Sequence, residues 1–168
     1  NIKQAHYIGL SMGGMVGMWL LTHAPQRIGR AVLANTGAYL GGPDLWNARI
    51  RTAKSEGLAA LTAATMDRWF TREFQERSPQ AVDRVAQMFR ATPPAGYAAC
   101  AAAIRDMDQR DSIRAISNPV LVIVGTHDPA TPPTMGGLIA DHIKGSRLLA
   151  LEAAHLSNIE ASNSFNRA

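Results

Sequence analysis

The chain has 168 residues, about the size of one domain, and its 46% hydrophobic and 18% charged residues exclude a disordered polypeptide. Its formal charge of +4 comes from 17 basic residues, 14 of them Arg, set against 13 acidic ones with no long block of either sign. That scatter argues against a nucleic-acid partner, which would gather charge into a stripe, and suits a small anionic substrate.

No apolar run approaches the roughly 18 residues of a membrane span, and Asn1–Tyr7 lacks the apolar core of a secretory signal. Cys100 is the single cysteine, so no intrachain disulfide or cysteine zinc cluster is expected, and a reducing cytoplasm is.

Ala5–Leu10 is a short apolar run that reads as a buried strand, and Gly13–His23 is apolar nearly all round, as a helix buried on a sheet would be. Ala24-Pro25 ends that helix. Ala31–Asn35 reads as a second buried strand, followed by a Gly- and Pro-rich loop over Thr36–Asp44. From Leu45 to about Ala115, charged residues interleave with apolar ones at helical spacing, and Pro79 and Thr92-Pro93-Pro94 divide the stretch into several helices. Val120–Gly125 is the clearest strand, Thr134–Ile143 a helix, and Arg147–Leu151 a fourth strand, with a further helix starting near Ala161. This alternation predicts an α/β protein with a parallel sheet: a core over residues 1–42 and 116–168, interrupted by a helical cap over 43–115.

Gly9-Leu10-Ser11-Met12-Gly13 is a G-x-S-x-G sequence between a predicted strand and a predicted helix, the context in which that motif forms a nucleophile elbow. There Ser11 sits on a strained turn that lifts its Oγ clear of the sheet, and small residues at Gly9 and Gly13 let strand and helix approach. The Met12 backbone N–H, at the helix N-terminus, then points where an oxyanion would form. The competing reading is a serine that merely caps the helix. A serine hydroxyl needs a base and the base an orienting acid. Asp128 follows the third strand and His155 the fourth, giving the chain order Ser, Asp, His. His6, His23, His127 and His142 occupy poorer positions, and Asp106, Asp108 and Asp111 lie in a charged segment where pairing or solvation is expected.

Across nearly its whole length the sequence resembles the α/β-hydrolases, and among them the 3-oxoadipate enol-lactonases. The resemblance is carried by the elbow Gly9–Gly17, by Val32–Thr36, by Leu45-Trp46-Asn47-Ala48-Arg49-Ile50 and by Trp69-Phe70-Thr71. Ala91–Cys100, Arg105–Asp108, Asp128-Pro129-Ala130-Thr131-Pro132-Pro133 and Ala154–Glu160 carry it further, the Thr-Pro-Pro-x-Gly-Tyr and Asp-Pro-Ala-Thr-Pro-Pro segments most narrowly.

The resemblance implies Ser11 as nucleophile, Asp128 as acid and His155 as base of a cofactor-free, metal-free lactone hydrolysis in aromatic-compound catabolism. It implies too that the chain is a truncated piece of the fold, its last four strands with the cap, without the upstream His-Gly loop that supplies a second oxyanion donor. A free carboxylate on the lactone calls for a cap arginine, and Arg49, Arg51 and Arg68 are the candidates, with Trp46 and Trp69 as pocket walls. The alternatives are another esterase, a perhydrolase or a carbon–carbon bond hydrolase on the same scaffold, or a non-catalytic receptor.

Overall fold

The computed structural model describes residues 2–168, which fall into two compact units. One spans Leu40–Met107; the other joins the segment ending at Tyr39 to that beginning at Asp108.

The second unit is built on a parallel sheet of β1 (Ala5–Leu10), β2 (Ile28–Ala34), β3 (Val120–Gly125) and β4 (Arg147–Leu151), in that spatial order. Register sets the two faces. Leu33 pairs with Val122 and Ala34 with Ile123, so successive partners alternate sides. On one face Leu33 and Val122 meet α1 (Met12–His23) and α7 (Pro133–His142), which bury Met15, Met18, Leu21 and Ile139. On the other, Ala34, Ile123 and Leu151 form a core with partly buried Leu10, Val32 and Leu121, joined by Phe165 of α9 (Ser162–Arg167). The short α8 (Ser157–Glu160) precedes α9.

Two apolar segments that read as buried are only partly covered. β1 is not a buried strand: it forms a sheet edge, and Ile8 is 67% exposed. Likewise α1 buries only its sheet-facing side, leaving Met12, Val16 and Trp19 in the open. An apolar sequence shows what a segment can bury; its exposure depends on which neighbours are present.

The other unit holds five helices: α2 (Pro43–Glu56), α3 (Ala59–Trp69), α4 (Arg72–Arg77), α5 (Pro79–Ala91) and α6 (Pro94–Asp106). Proline starts α2, α5 and α6, where its missing N–H costs nothing, and the Thr71 hydroxyl caps α4 by accepting the Phe74 N–H at 3.2 Å. Trp46, Met66, Phe70, Phe74, Phe89 and Ala101 give the unit its own core. Asp108–Ala115 group with the sheet unit and not with these helices. The Gln109 N–H donates to the Ala38 carbonyl at 2.8 Å, its Nε2 donates to the Met15 carbonyl at 3.0 Å, and Ile113 is fully buried. Among the described residues no helix is long and apolar enough to cross a membrane.

Candidate active site

Ser11 is the hinge between β1 and α1. Its backbone has φ 56, a conformation that a non-glycine residue holds only when its surroundings enforce it. The Ser11 N–H donates to the Ala34 carbonyl at 2.9 Å, and the Thr36 hydroxyl donates to the Ser11 carbonyl at 2.8 Å, so the end of β2 grips the turn from both sides.

Gly9 is needed for space: a Cβ there would run into the Gly13 carbonyl and the Tyr7 ring. Gly13 is not, because a Cβ on it would meet nothing closer than the Tyr7 hydroxyl at 4.0 Å. The tight approach is made by the Gly13 carbonyl, which accepts the Tyr7 hydroxyl at 2.6 Å. Nor does the Ser11 side chain cap α1. It turns the other way.

The Ser11 Oγ lies 2.9 Å from His155 Nε2, and His155 Nδ1 lies 2.8 Å from Asp128 Oδ2. A carboxylate only accepts, so His155 carries its proton on Nδ1, and Nε2 is left to accept the serine hydroxyl. Ser11 is half-buried, while His155 and Asp128 are almost wholly enclosed. The Asp128 carboxylate is unusually well held. Its Oδ1 accepts the backbone N–H groups of Ala130 at 2.8 Å and Thr131 at 2.9 Å. Its Oδ2 accepts the Thr131 hydroxyl at 2.7 Å and the Asn35 amide at 3.1 Å, besides His155. Burial pushes the Asp128 carboxyl up, but the hydrogen bond and charge of His155, with the Thr131 donors, outweigh it and hold the group below its ordinary value. The Met12 N–H sits in the first turn of α1, where backbone donors lack an intrahelical acceptor. It is a ready anion donor beside Ser11.

The competing side chains are engaged elsewhere. His6 accepts the Arg30 N–H, His23 stacks on Trp19, His127 pairs with Glu152, and His142 contacts Arg114. Asp106 pairs with Arg105 and Asp108 with Arg110. Among the described residues no cluster of His, Cys, Asp or Glu is placed to hold a metal ion.

Within the helical unit, Arg49 and Arg51 part company, as residues two apart on a helix must. Arg51 is exposed, whereas Arg49 is half-buried with its guanidinium over the Trp46 ring, 4.9 Å from the centroid. Burial and the charge of Arg68 press the Arg49 guanidinium down, and Tyr97 opposes them. Burial raises the Tyr97 phenol while both arginines draw it down. Arg68 also donates to the Thr65 hydroxyl at 3.2 Å. Trp46 is buried, donating its indole N–H to the Leu40 carbonyl at 3.1 Å, and Trp69 packs edge-on against Phe89.

A profile of the alpha/beta hydrolase fold matches residues 1–162. The chain belongs to that family. The chain is 40% identical over its full length to 3-oxoadipate enol-lactonase 2 of Acinetobacter baylyi, spanning 63% of that protein. It is 31% identical to a pimeloyl-[acyl-carrier protein] methyl ester esterase of Neisseria meningitidis over 94% of the chain and 66% of that enzyme. Among solved structures, the enol-lactonase of Burkholderia xenovorans LB400 superposes with a TM-score of 0.97 at 40% identity, over 99% of this chain and 64% of that one.

Sequence reasoning points to Ser11, His155 and Asp128, which the structure joins by hydrogen bonds, but not to Asn35, Thr131 and Ser157. Thr131 was within reach, since a threonine three residues after an aspartate commonly closes a turn onto it. Asn35 and Ser157 left no local signal, because their partners lie more than 90 residues away in the sequence.

Proposed function

We propose that this α/β-hydrolase is a serine hydrolase of carboxylic esters whose substrate is 3-oxoadipate enol-lactone. The hydrogen-bond chain Ser11–His155–Asp128 carries the reading, and the 40% identity to an enol-lactonase over the whole chain supports the substrate.

His155 Nε2 takes the Ser11 proton as Oγ attacks the lactone carbonyl, and Asp128 stabilises the imidazolium that forms. The Met12 N–H donates to the developing oxyanion. Collapse breaks the ring C–O bond and expels an enolate, which needs less acid assistance than an alkoxide would. It takes up the proton held by His155, leaving an acyl-enzyme on Ser11. A water that gives its proton to His155 Nε2 then attacks the acyl carbon, and the Ser11–acyl bond breaks as Oγ recovers a proton. The enol relaxes to the ketone, giving 3-oxoadipate.

The free carboxylate of the lactone is assigned to Arg49, with Arg68 reinforcing the positive field. Arg49 is preferred to Arg51 because its guanidinium is half-buried over the Trp46 ring, whereas Arg51 is exposed. A cytoplasmic setting fits a lone exposed thiol at Cys100.

The test is hydrolysis of the enol-lactone beside a panel of neutral esters, with Ser11→Ala as control. A fluorophosphonate should label Ser11 in the wild type. The similarity to a methyl ester esterase makes a simple ester the second candidate, and preference for it over the acidic lactone would move the assignment there.

A further inference from the structure

Asn35 follows β2, is completely buried, and has φ 43, so its backbone lies in the left-handed region. Asparagine tolerates that region better than most side chains, yet packing must hold it there. Its N–H donates to the Ile123 carbonyl at 2.8 Å, which fastens the residue to β3. Its side-chain Nδ2 donates to Asp128 Oδ2 at 3.1 Å and to the Ala154 carbonyl at 3.2 Å. Its Oδ1 accepts the Ser157 hydroxyl at 2.5 Å. A carboxylate and a carbonyl can only accept, so the orientation of the amide is fixed by chemistry. One amide therefore touches the acid and both flanks of His155. Gly125, the last residue of β3, leaves room for this convergence, because a Cβ there would run into the carbonyls of Ala153 and Ala154 and stand 3.0 Å from Asn35 Nδ2.

Asp128 and His155 sit on separate loops. The imidazole must reach Oδ2 with one nitrogen and Ser11 Oγ with the other, at 2.8 and 2.9 Å. Thr131 belongs to the same turn as Asp128 and moves with it. Asn35 is anchored instead to the strands, so it references both loops to the sheet that also carries Ser11. We propose that Asn35, locked by the Ser157 hydroxyl, is a positioning residue that sets the Asp128 carboxylate and the His155 ring in register with Ser11. This rests on the assignment of Ser11, His155 and Asp128 made above.

Two variants test it. Asn35→Gly keeps the left-handed backbone accessible and deletes the amide, while Ser157→Ala keeps the amide and frees its Oδ1. The readouts are the rate of fluorophosphonate labelling at Ser11, kcat and KM on a neutral p-nitrophenyl ester, and thermal unfolding. Asn35→Gly should lower labelling and kcat about 10- to 100-fold and leave KM within about twofold, since a small misplacement costs rate and not binding. Ser157→Ala should show the same split at smaller size. A folded Asn35→Gly protein that labels at the wild-type rate overturns the proposal, as does a loss in which KM rises in step with falling stability. Should Asn35→Gly fail to fold, Ser157→Ala decides, and an unchanged labelling rate there overturns it. Wild-type protein that takes the label elsewhere than Ser11 overturns the enzymatic reading, and the proposal with it.

Discussion

Replacing Asp128 by Asn separates the electrostatic role of this side chain from its shape. Five donors converge on the carboxylate: two backbone N–H groups on Oδ1, and Thr131, Asn35 and His155 on Oδ2. An amide offers one acceptor oxygen and one NH2 group. The backbone donors cannot turn away, so the amide oxygen takes the Oδ1 place and the NH2 faces Oδ2's former partners. Thr131 can rotate its hydroxyl proton and accept. Asn35 cannot, and one of its N–H bonds is left unpaired in a buried site, costing about 1–3 kcal/mol. His155 can adapt only by moving its proton from Nδ1 to Nε2. That proton then faces Ser11 Oγ, which loses its base. The expected fall in kcat is about 10⁴-fold, the size the same change has in a Ser–His–Asp protease. Ester turnover with urea unfolding on the same preparation checks both figures. A folded Asp128→Asn protein with kcat within tenfold of wild type would refute the tautomer argument.

Gly9→Ala should destabilise by about 1–3 kcal/mol or more, because the new methyl meets the Gly13 carbonyl and the Tyr7 ring, whereas Gly13→Ala should be far milder; denaturant midpoints compare them. Arg49→Ala should raise KM for the acidic lactone and spare a neutral ester, with Arg51→Ala unchanged on both; equal effects from the two variants would remove the anchor assignment. The Asp128 carboxyl is held below its ordinary value, so the unfolded chain binds that proton more tightly than the folded one. Its contribution to stability is complete above the unfolded pKa of about 3.9 and is lost as pH falls through the lower folded value. Unfolding free energies of wild type and Asp128→Asn should therefore differ at pH 7 and converge in acid. Residues 1–168 by themselves present Ile8, Val16 and Trp19 on an edge strand and its helix, so sedimentation should show self-association; a monodisperse monomer would contradict this.

Much of the sheet unit could be read from the sequence because its signals are local. Val120–Gly125 and Arg147–Leu151 have the bounds expected of them, and the elbow shows itself by Gly9 and Ser11 standing between an apolar run and a helix. Ser11, Asp128 and His155 could be named together because each follows a strand, and the carboxyl ends of parallel strands lie side by side. What could not be read depends on contacts between distant segments. The exposure of β1 cannot be read from its own residues, because an edge strand and a central strand share the same apolar alphabet. The grouping of Asp108–Ala115 with the sheet hangs on the Gln109 bonds to Ala38 and Met15, which no periodicity announces.

The same distinction explains why the narrower residues of the site escaped notice. A nucleophile, a base and an acid are recognisable by type, since few side chains can do their chemistry. The groups that hold them in place are ordinary: an asparagine just after a strand, a serine opening a helix, a threonine in a turn. Their function is conferred by position alone. Asn35 illustrates it, for its amide would be unremarkable in the loop it opens were Asp128 Oδ2, Ala154 and Ser157 not brought within 2.5–3.2 Å of it. Chemistry is written in residue identity and precision in the fold, so a sequence can disclose the reactive atoms while remaining silent on what aligns them.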